Sequence, residues 1–119
     1  MNKTKGQIEA AVAAALTAFE REHLGRGPRE SRAFVVHDLV VVRLKGILSP
    51  AEQQLAREPG GAANLKEHRS RLIEGSRDAL VALVEQHVGI GVVTMHTDLS
   101  TRTGERVFVF GLERPLEAA

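Results

Sequence analysis

His96 and Asp98 are the two residues whose types and spacing come nearest to an acid–base pair. They stand two positions apart on a predicted strand, so both side chains point to one sheet face, where an aspartate raises the basicity of a histidine. No serine or threonine is placed beside them as a nucleophile, and no second histidine has metal-ligand spacing. Three roles stay open for residues 96–106: hydrogen bonding within a hairpin loop, which we favour, ligand binding, and general base catalysis.

Basic residues gather at and after the sequence GRGPRE, residues 25–30. They are Arg26, Arg29, Arg32, Arg43 and Lys45. Clustered guanidinium groups suit bidentate binding of a carboxylate or phosphate, so a small-anion site is one hypothesis, with Arg26, Arg43 and Lys45 supplying the charge. The alternative is a solvated turn whose arginines pair with Glu20, Glu22 and Glu30.

The pattern His-x-Gly-x-Gly occurs twice, in HLGRGP (residues 23–28) and HVGIGV (residues 87–92), each time after a predicted helix. Phosphate-binding loops place their glycines after a strand and before a helix, whereas here the negative C-terminal end of a helix would face the anion. The pattern therefore predicts two helix ends, with Gly25 suited to a left-handed turn and Gly89 ending the second helix. A diverged internal duplication is an alternative origin of the repeat.

The composition excludes several classes of protein and site. The 119 residues fit one domain, and sixteen basic against fifteen acidic residues create no field that attracts nucleic acid or anionic lipid. The absence of cysteine excludes disulfides, thiolate catalysis and cysteine-ligated metal sites. The alanine-rich N-terminal run is too short to span a bilayer. Polar residues interrupt the segment, which argues against a signal peptide. We expect a cytoplasmic protein with no cofactor, no metal site and no direct membrane insertion.

The N-terminal segment predicts a helix. Thr4 and Gln7 form a capping box at its start. Apolar residues then recur on one helical face, namely Ile8, Val12, Leu16 and Phe19. Gly25 ends the helix, and Pro28 prevents it from resuming.

Residues 32–45 predict a β-hairpin with its turn at His37-Asp38, because the segment is rich in β-branched residues. Pairing the strands about that turn sets apolar residues opposite each other on both faces. The pairs are Val36 with Leu39, Phe34 with Val41, Val35 with Val40 and Ala33 with Val42. An antiparallel sheet with one solvated face needs only one apolar face, so the second face indicates either further helices or another chain. We expect a homodimer.

Two helices are predicted next. Ser49, Pro50 and Glu52 are typical of a helix start, with a capping box and proline at the first helical position. A longer helix is expected from about residue 62 to residue 87, where apolar residues keep the helical period. Its charged residues, Arg69 among them, are expected at exposed or semi-exposed positions.

The sequences IGVVTMHTD and ERVFVFGL predict two more strands, joined by the polar loop LSTRTG. We expect Asp98 to pair with Glu105, which places Val93 opposite Phe110 on a mainly apolar face. The other face of this hairpin is more polar.

Several ordered motifs carry a likeness to a known family: TKGQIEA, GRGP, VVVRLKGILSPAE, RSRLIE and HTDLSTRTGERVFVF. Together they resemble the MpsC-like family, from about Lys3 to Leu112. The resemblance implies a soluble accessory protein beside a membrane-potential-generating, sodium- or bicarbonate-linked transport system. It supplies no established catalytic residues, so the polar positions of the motifs are the candidate binding residues. They are Arg26, Arg43, Lys45, Arg71, His96, Asp98, Thr103, Glu105 and Arg106.

We therefore predict a single α+β domain over residues 1–119, with its core at about residues 4–112. The order is helix, hairpin, short helix, long helix, hairpin, as a two-layer sandwich whose four-stranded, mainly antiparallel sheet has helices on one face. The predicted function is a non-enzymatic accessory or regulatory protein of a membrane ion or inorganic-carbon transport system. It would bind a protein partner, such as a transporter subunit, or a small anion. The alternative is a small enzyme using His96 and Asp98; the third is nucleic-acid binding, which the lack of tryptophan and tyrosine disfavours.

Overall fold

A computed structural model describes residues 3–116, which form four helices and four strands. In chain order they are α1 (Lys5–Leu24), β1 (Glu30–Val36), β2 (Leu39–Lys45), α2 (Pro50–Arg57), α3 (Gly61–Gly75), α4 (Arg77–Val88), β3 (Val92–Ser100) and β4 (Glu105–Leu112). The strands make one antiparallel sheet in the order β1-β2-β4-β3. The predicted α+β fold and its order of elements are confirmed.

The core lies between the helices and one face of the sheet. Val12 and Leu16 of α1 are fully buried in one hydrophobic core. The core also contains Val42, Phe108 and Phe110 of the central strands. The other side of the sheet, here called the open face, carries the alternate side chains of each strand. They are Glu30, Arg32, Phe34, Val36, Leu39, Val41, Arg43, Lys45, Thr94, His96, Asp98, Ser100, Glu105, Val107, Val109 and Gly111.

Local signals set both ends of α1 as predicted. The Thr4 hydroxyl accepts a hydrogen bond from Gln7 N at 3.1 Å, and the Gln7 side chain accepts one from Thr4 N at 2.9 Å. The helix ends at Gly25, whose φ of 87° is left-handed, and Gly89 ends α4 in the same way with φ 78°. Both copies of His-x-Gly-x-Gly therefore contain the glycine that terminates a helix.

The first hairpin has the predicted register. Val36 pairs with Leu39 and Phe34 with Val41, around a turn in which His37 has a φ of 56°. Because β1 is an edge strand, its outward N–H groups need other partners, and Val35 N donates to Glu9 Oε2 of α1 at 2.7 Å. Helix α1 thereby covers the edge of the sheet.

The predicted long helix is wrong in one respect, because it is divided into α3 and α4. Ser76 stands between them with φ −108° and ψ 8°, and its N–H donates to Ile73 O at 3.0 Å, so the α-helical hydrogen-bond pattern stops there. Gly75, which is a poor helix former, precedes the break. The division lets α3 pack on α2 while α4 packs on α1.

The predicted register of the second hairpin is wrong by two residues. Glu105 pairs with Ser100 and not with Asp98, so β3 extends to Ser100 and the connecting turn shortens to residues 101–104. A shift of two preserves the face of each side chain. Phe110, expected opposite Val93, pairs with Met95 because of the same two-residue shift. At the other end of the hairpin the register shifts between Val92 and Thr94, and Val93 between them is 61% exposed.

Candidate functional site

Three chain segments are held side by side at the end of the sheet where β2 ends. Arg29 N donates to Lys45 O at 2.8 Å, and Ile47 N donates to Gly104 O at 3.1 Å. Gly46 lies between these bonds with φ 70°, and a Cβ there would come within 2.9 Å of the Arg29 Cβ. Glycine at this position therefore lets the Arg29 side chain lie across the loop between β2 and α2.

Helix α2 forms a wall beside this loop. The Ser49 hydroxyl accepts from Glu52 N at 3.2 Å, and Glu52 accepts from Ser49 N at 2.9 Å, so the predicted capping box is present. Gln53 donates from Nε2 to Leu48 O at 3.1 Å, which ties the helix to the preceding loop. Arg57, one turn beyond Gln53, lines the same side of the helix.

A cavity of about 440 Å³ lies between the loop before α2, helix α2 and the 101–104 turn. Its lining residues are Arg29, Gly46, Leu48, Gln53, Ala56, Arg57, Thr101, Arg102, Thr103 and Gly104. We call it the arginine cavity. Its volume accommodates a small ligand, and it combines three arginines with hydroxyl and amide groups but contains no lining carboxylate.

The arginines of the cavity are not neutralised by the protein. Within residues 3–116, no ion pair involves Arg29, Arg57 or Arg102. Arg57 makes one long hydrogen bond, from Nη1 to Gln54 Oε1 at 3.4 Å. Three like charges around one concavity repel each other, and a bound anion relieves that repulsion while accepting charge-assisted hydrogen bonds.

A second cavity of about 270 Å³ adjoins the arginine cavity and is lined by Arg29, Arg43, Lys45, Thr103 and Glu105. The two cavities share Arg29 and Thr103. Glu105 binds Arg43, with its Oε2 at 2.7 Å from Nε. Four of the residues predicted from the sequence therefore meet here, and one ion pair already occupies two of them.

The structure separates the remaining predicted binding residues from this site. Arg26 is exposed and lines neither cavity. Arg29, and not Arg26 as predicted, is the residue of this turn that lines both cavities. Arg71 is exposed on α3, where its Nη2 binds Glu67 Oε1 at 2.7 Å. Arg57 and Arg102 were not singled out from the sequence, because only the folded chain brings α2 to the 101–104 turn.

His96 and Asp98 lie on the open face without forming an acid–base pair. Asp98 Oδ1 accepts from Lys66 Nζ at 2.9 Å and from Leu99 N at 2.9 Å. The bond from Lys66, followed by the bond from Leu99 N, lowers the pKa of Asp98 below its usual value. His96 is exposed and is not hydrogen-bonded to Asp98, so the orientation that general base catalysis requires is absent from this arrangement.

Three charged residues, Glu20, Arg69 and Arg106, are buried beneath the helices, with 1%, 4% and 1% of their surfaces exposed. Arg69 was expected at the surface and Glu20 as a partner of the basic turn, and both expectations are wrong. Arg69 instead donates two hydrogen bonds to Glu52, at 3.0 and 2.7 Å. Arg106 donates from Nη1 to the Thr97 hydroxyl at 2.9 Å.

A signal for this burial exists in the sequence. Glu20 continues the four-residue spacing of Ile8, Val12 and Leu16, and Arg69 stands midway between Leu65 and Ile73. Arg106 likewise alternates with Phe108 and Phe110 along β4. Each charge therefore occupies a position of an apolar stripe, where burial is expected if a partner is present.

Burial and the neighbouring buried charges change the pKa of Glu20. Burial raises the pKa of Glu20, and the positive charges of Arg69 and Arg106 only partly oppose that rise. Among residues 3–116, both carboxylate oxygens of Glu20, and Nε and Nη2 of Arg106, have no hydrogen-bond partner. The unsatisfied carboxylate oxygens, together with burial, destabilise the ionised form of Glu20 in the folded protein.

Residues 3–116 contain no group of three or more His, Asp or Glu side chains placed to hold a metal ion. No helix in the same range is long and apolar enough to cross a bilayer.

Comparison with known proteins gives a family match over nearly the whole chain. Residues 4–114 match the family described as "Na+-translocating membrane potential-generating system (MpsC)". The uncharacterized protein YbcI of Bacillus subtilis (strain 168) is 40% identical over 117 residues, which cover 98% of this chain and 94% of YbcI. No solved structure matches the chain.

Proposed function

The chain belongs to the MpsC family, and on that premise we propose that it is an accessory protein of a membrane ion-transport system whose arginine cavity binds a small oxyanion. The family description supports the association with transport. The cavity supports the ligand class, because three arginines without ion-pair partners line one concave site.

The chemistry of the lining favours an oxyanion such as bicarbonate or phosphate over a halide. Each guanidinium group offers parallel N–H donors that match two oxygens of one ligand, and Thr101, Thr103 and Gln53 add uncharged donors around them. A spherical halide ion cannot accept the two parallel N–H bonds of a guanidinium group on separate atoms, nor can it reach the uncharged donors around them. Arg29 and Arg102 approach from opposite chain segments, so an anion between them also links the loop before β1 to the 101–104 turn.

The test is calorimetric titration of the protein with inorganic phosphate, bicarbonate and chloride at low ionic strength. We expect phosphate or bicarbonate to bind more tightly than chloride, and more weakly as salt is added. Arg102→Gln removes one charge-assisted contact and is expected to weaken binding by about tenfold or more, since such bonds contribute about 1.5–3 kcal/mol.

Arg26→Gln is the matched control, because Arg26 is also an exposed arginine near a glycine turn but lies outside the cavity. Its affinity is expected to equal that of the unmodified protein. Binding of neither oxyanion, or equal loss of affinity in both variants, would contradict the cavity as the site.

The association with transport has its own test. A tagged chain is purified from native cells after mild solubilisation of the membrane. We expect an integral subunit of an ion transporter to co-purify, and recovery of the chain without any membrane protein contradicts this part of the proposal.

A further inference from the structure

Towards the β1 edge, the open face of the sheet carries an apolar patch that no helix among residues 3–116 covers. Phe34, Val36 and Leu39 are 39%, 56% and 38% exposed, and Val41, Val107 and Val109 beside them are only partly buried. Contiguous apolar surface of this kind on a sheet marks an interaction site. We propose that a second copy of this chain packs on the open face, with the two-fold axis parallel to the strands, independently of the anion site.

The order of charges across the sheet selects this axis. One row across the four strands reads Arg32, Arg43, Val107, Asp98, because these residues pair in register. A two-fold axis parallel to the strands reverses the row, so Arg32 of one copy lies opposite Asp98 of the other and each Arg43 lies opposite Val107. Cationic and anionic ends thus meet twice in each dimer.

The valines at the centre of the face fit the same arrangement. In the next row, Phe34 lies at one edge and His96 at the other, with Val41 and Val109 between them, so reversal places valine on valine at the centre. A two-fold axis across the strands would instead set each strand against its own copy, so that Arg32 of β1 does not lie opposite Asp98 of β3. Of the two axes, the one parallel to the strands sets Arg32 opposite Asp98 at both edges and Val41 opposite Val109 between them.

Asp98 retains the capacity for this contact. Lys66 and Leu99 N both bind its Oδ1, which leaves Oδ2 without a partner among residues 3–116, and the side chain is 69% exposed. Arg32 has a single weak contact, with Nε at 3.4 Å from Glu30 Oε2, and is 68% exposed. Both side chains can therefore pair with the other copy without breaking a buried interaction.

The size of the face sets the strength of the association. Four strands spaced by about 4.8 Å, each of about seven residues, cover a footprint of about 450 Å² per copy. This area is at the small end for specific protein interfaces, so we expect a reversible dimer with a dissociation constant in the micromolar range. The axis parallel to the strands also places both arginine cavities at the same end of the dimer, where one partner surface can contact both.

Cross-linking tests the geometry directly, because the natural chain has no cysteine. Arg32→Cys and Asp98→Cys are made as separate proteins and treated with a bismaleimide that spans about 10 Å, the distance between packed sheets. In the proposed dimer, position 32 lies over position 98, whereas two copies of position 32 are about 17 Å apart. An equal mixture is expected to give cross-linked dimer and each protein alone to give little. Cross-linking of each variant alone, or none in the mixture, overturns the proposal.

Sedimentation equilibrium tests the forces. Arg32→Glu and Asp98→Lys are each expected to weaken the dimer by about tenfold or more through like-charge contact, and the double variant is expected to recover most of that loss. Phe34→Thr is expected to weaken it as well, while Leu72→Thr, at a 40% exposed position on α3, serves as the matched control. A chain that stays monomeric at millimolar concentration, or a dimer that Phe34→Thr and Leu72→Thr affect equally, contradicts the proposal.

Discussion

Replacing Arg69 by Met should destabilise the protein far more than the same change at Arg71. Both arginines lie on α3, and both bind a glutamate at 2.7 Å. They differ in burial, since the Arg69 side chain is 5% exposed and that of Arg71 is 78% exposed. Arg69→Met keeps an unbranched side chain in the core but leaves the Glu52 carboxylate without its cationic partner.

The expected magnitudes follow from that difference. Removing one partner of a buried ion pair costs about 3–5 kcal/mol, and the partial exposure of Glu52 places Arg69→Met near the lower end, at about 3 kcal/mol. With a urea dependence of about 2 kcal/mol per M, the unfolding midpoint falls by about 1.5 M. Arg71→Met removes an exposed pair worth about 0.5 kcal/mol and shifts the midpoint by about 0.2 M.

Urea unfolding followed by far-ultraviolet circular dichroism measures both variants, since the chain has no tryptophan or tyrosine for fluorescence. A double-mutant cycle with Glu52→Gln isolates the interaction between the two side chains. Equal midpoints for Arg69→Met and Arg71→Met would refute the reasoning that burial, and not the short contact, decides the contribution.

Three further predictions concern the same region. Hydrogen bonds from Arg69 and Ser49 outweigh the effect of burial and lower the pKa of Glu52 below 4.5. The contribution of ionised Glu52 to the free energy of unfolding is therefore present above pH 4.5 and is lost as the pH falls further. Glu52→Gln should abolish that loss in acid unfolding curves. Burial raises the pKa of Glu20 above 4.5, so the sign is opposite. The unmodified protein should gain stability relative to Glu20→Gln as the pH falls from 7 towards 4.5, and an unchanged difference would contradict the shift. Gly46→Ala places a Cβ against Arg29 at a φ of 70°, and should cost about 1–2 kcal/mol in urea unfolding and weaken phosphate binding by calorimetry.

Much of the fold follows from local patterns that the sequence displays directly. The capping boxes at Thr4 and Ser49 depend on contacts between residues three apart, and the first hairpin register depends on a two-residue turn. Such interactions do not depend on distant segments of the chain. The second hairpin was harder, because its polar turn allows two registers that keep every side chain on the same face.

The candidate site depends on contacts between distant parts of the chain. The amino-acid types predicted basic residues near Gly25 and on β2, but Arg29, Arg57 and Arg102 come together only when the loop before α2 binds the 101–104 turn through Ile47 and Gly104. Separations of that length leave no periodic trace in a sequence.

The types and order of the elements can be predicted from local patterns, because hydrogen bonding at helix ends and the alternation of apolar residues act over a few positions. Which charges are buried, and which line a cavity, depends on how distant elements pack against each other. Arg69 and Arg71 are two residues apart with the same chemistry, yet one lies in the core and the other in solvent. The reason is that burial of a charge depends on a partner from another element, here Glu52 of α2, and such a partner is supplied by packing.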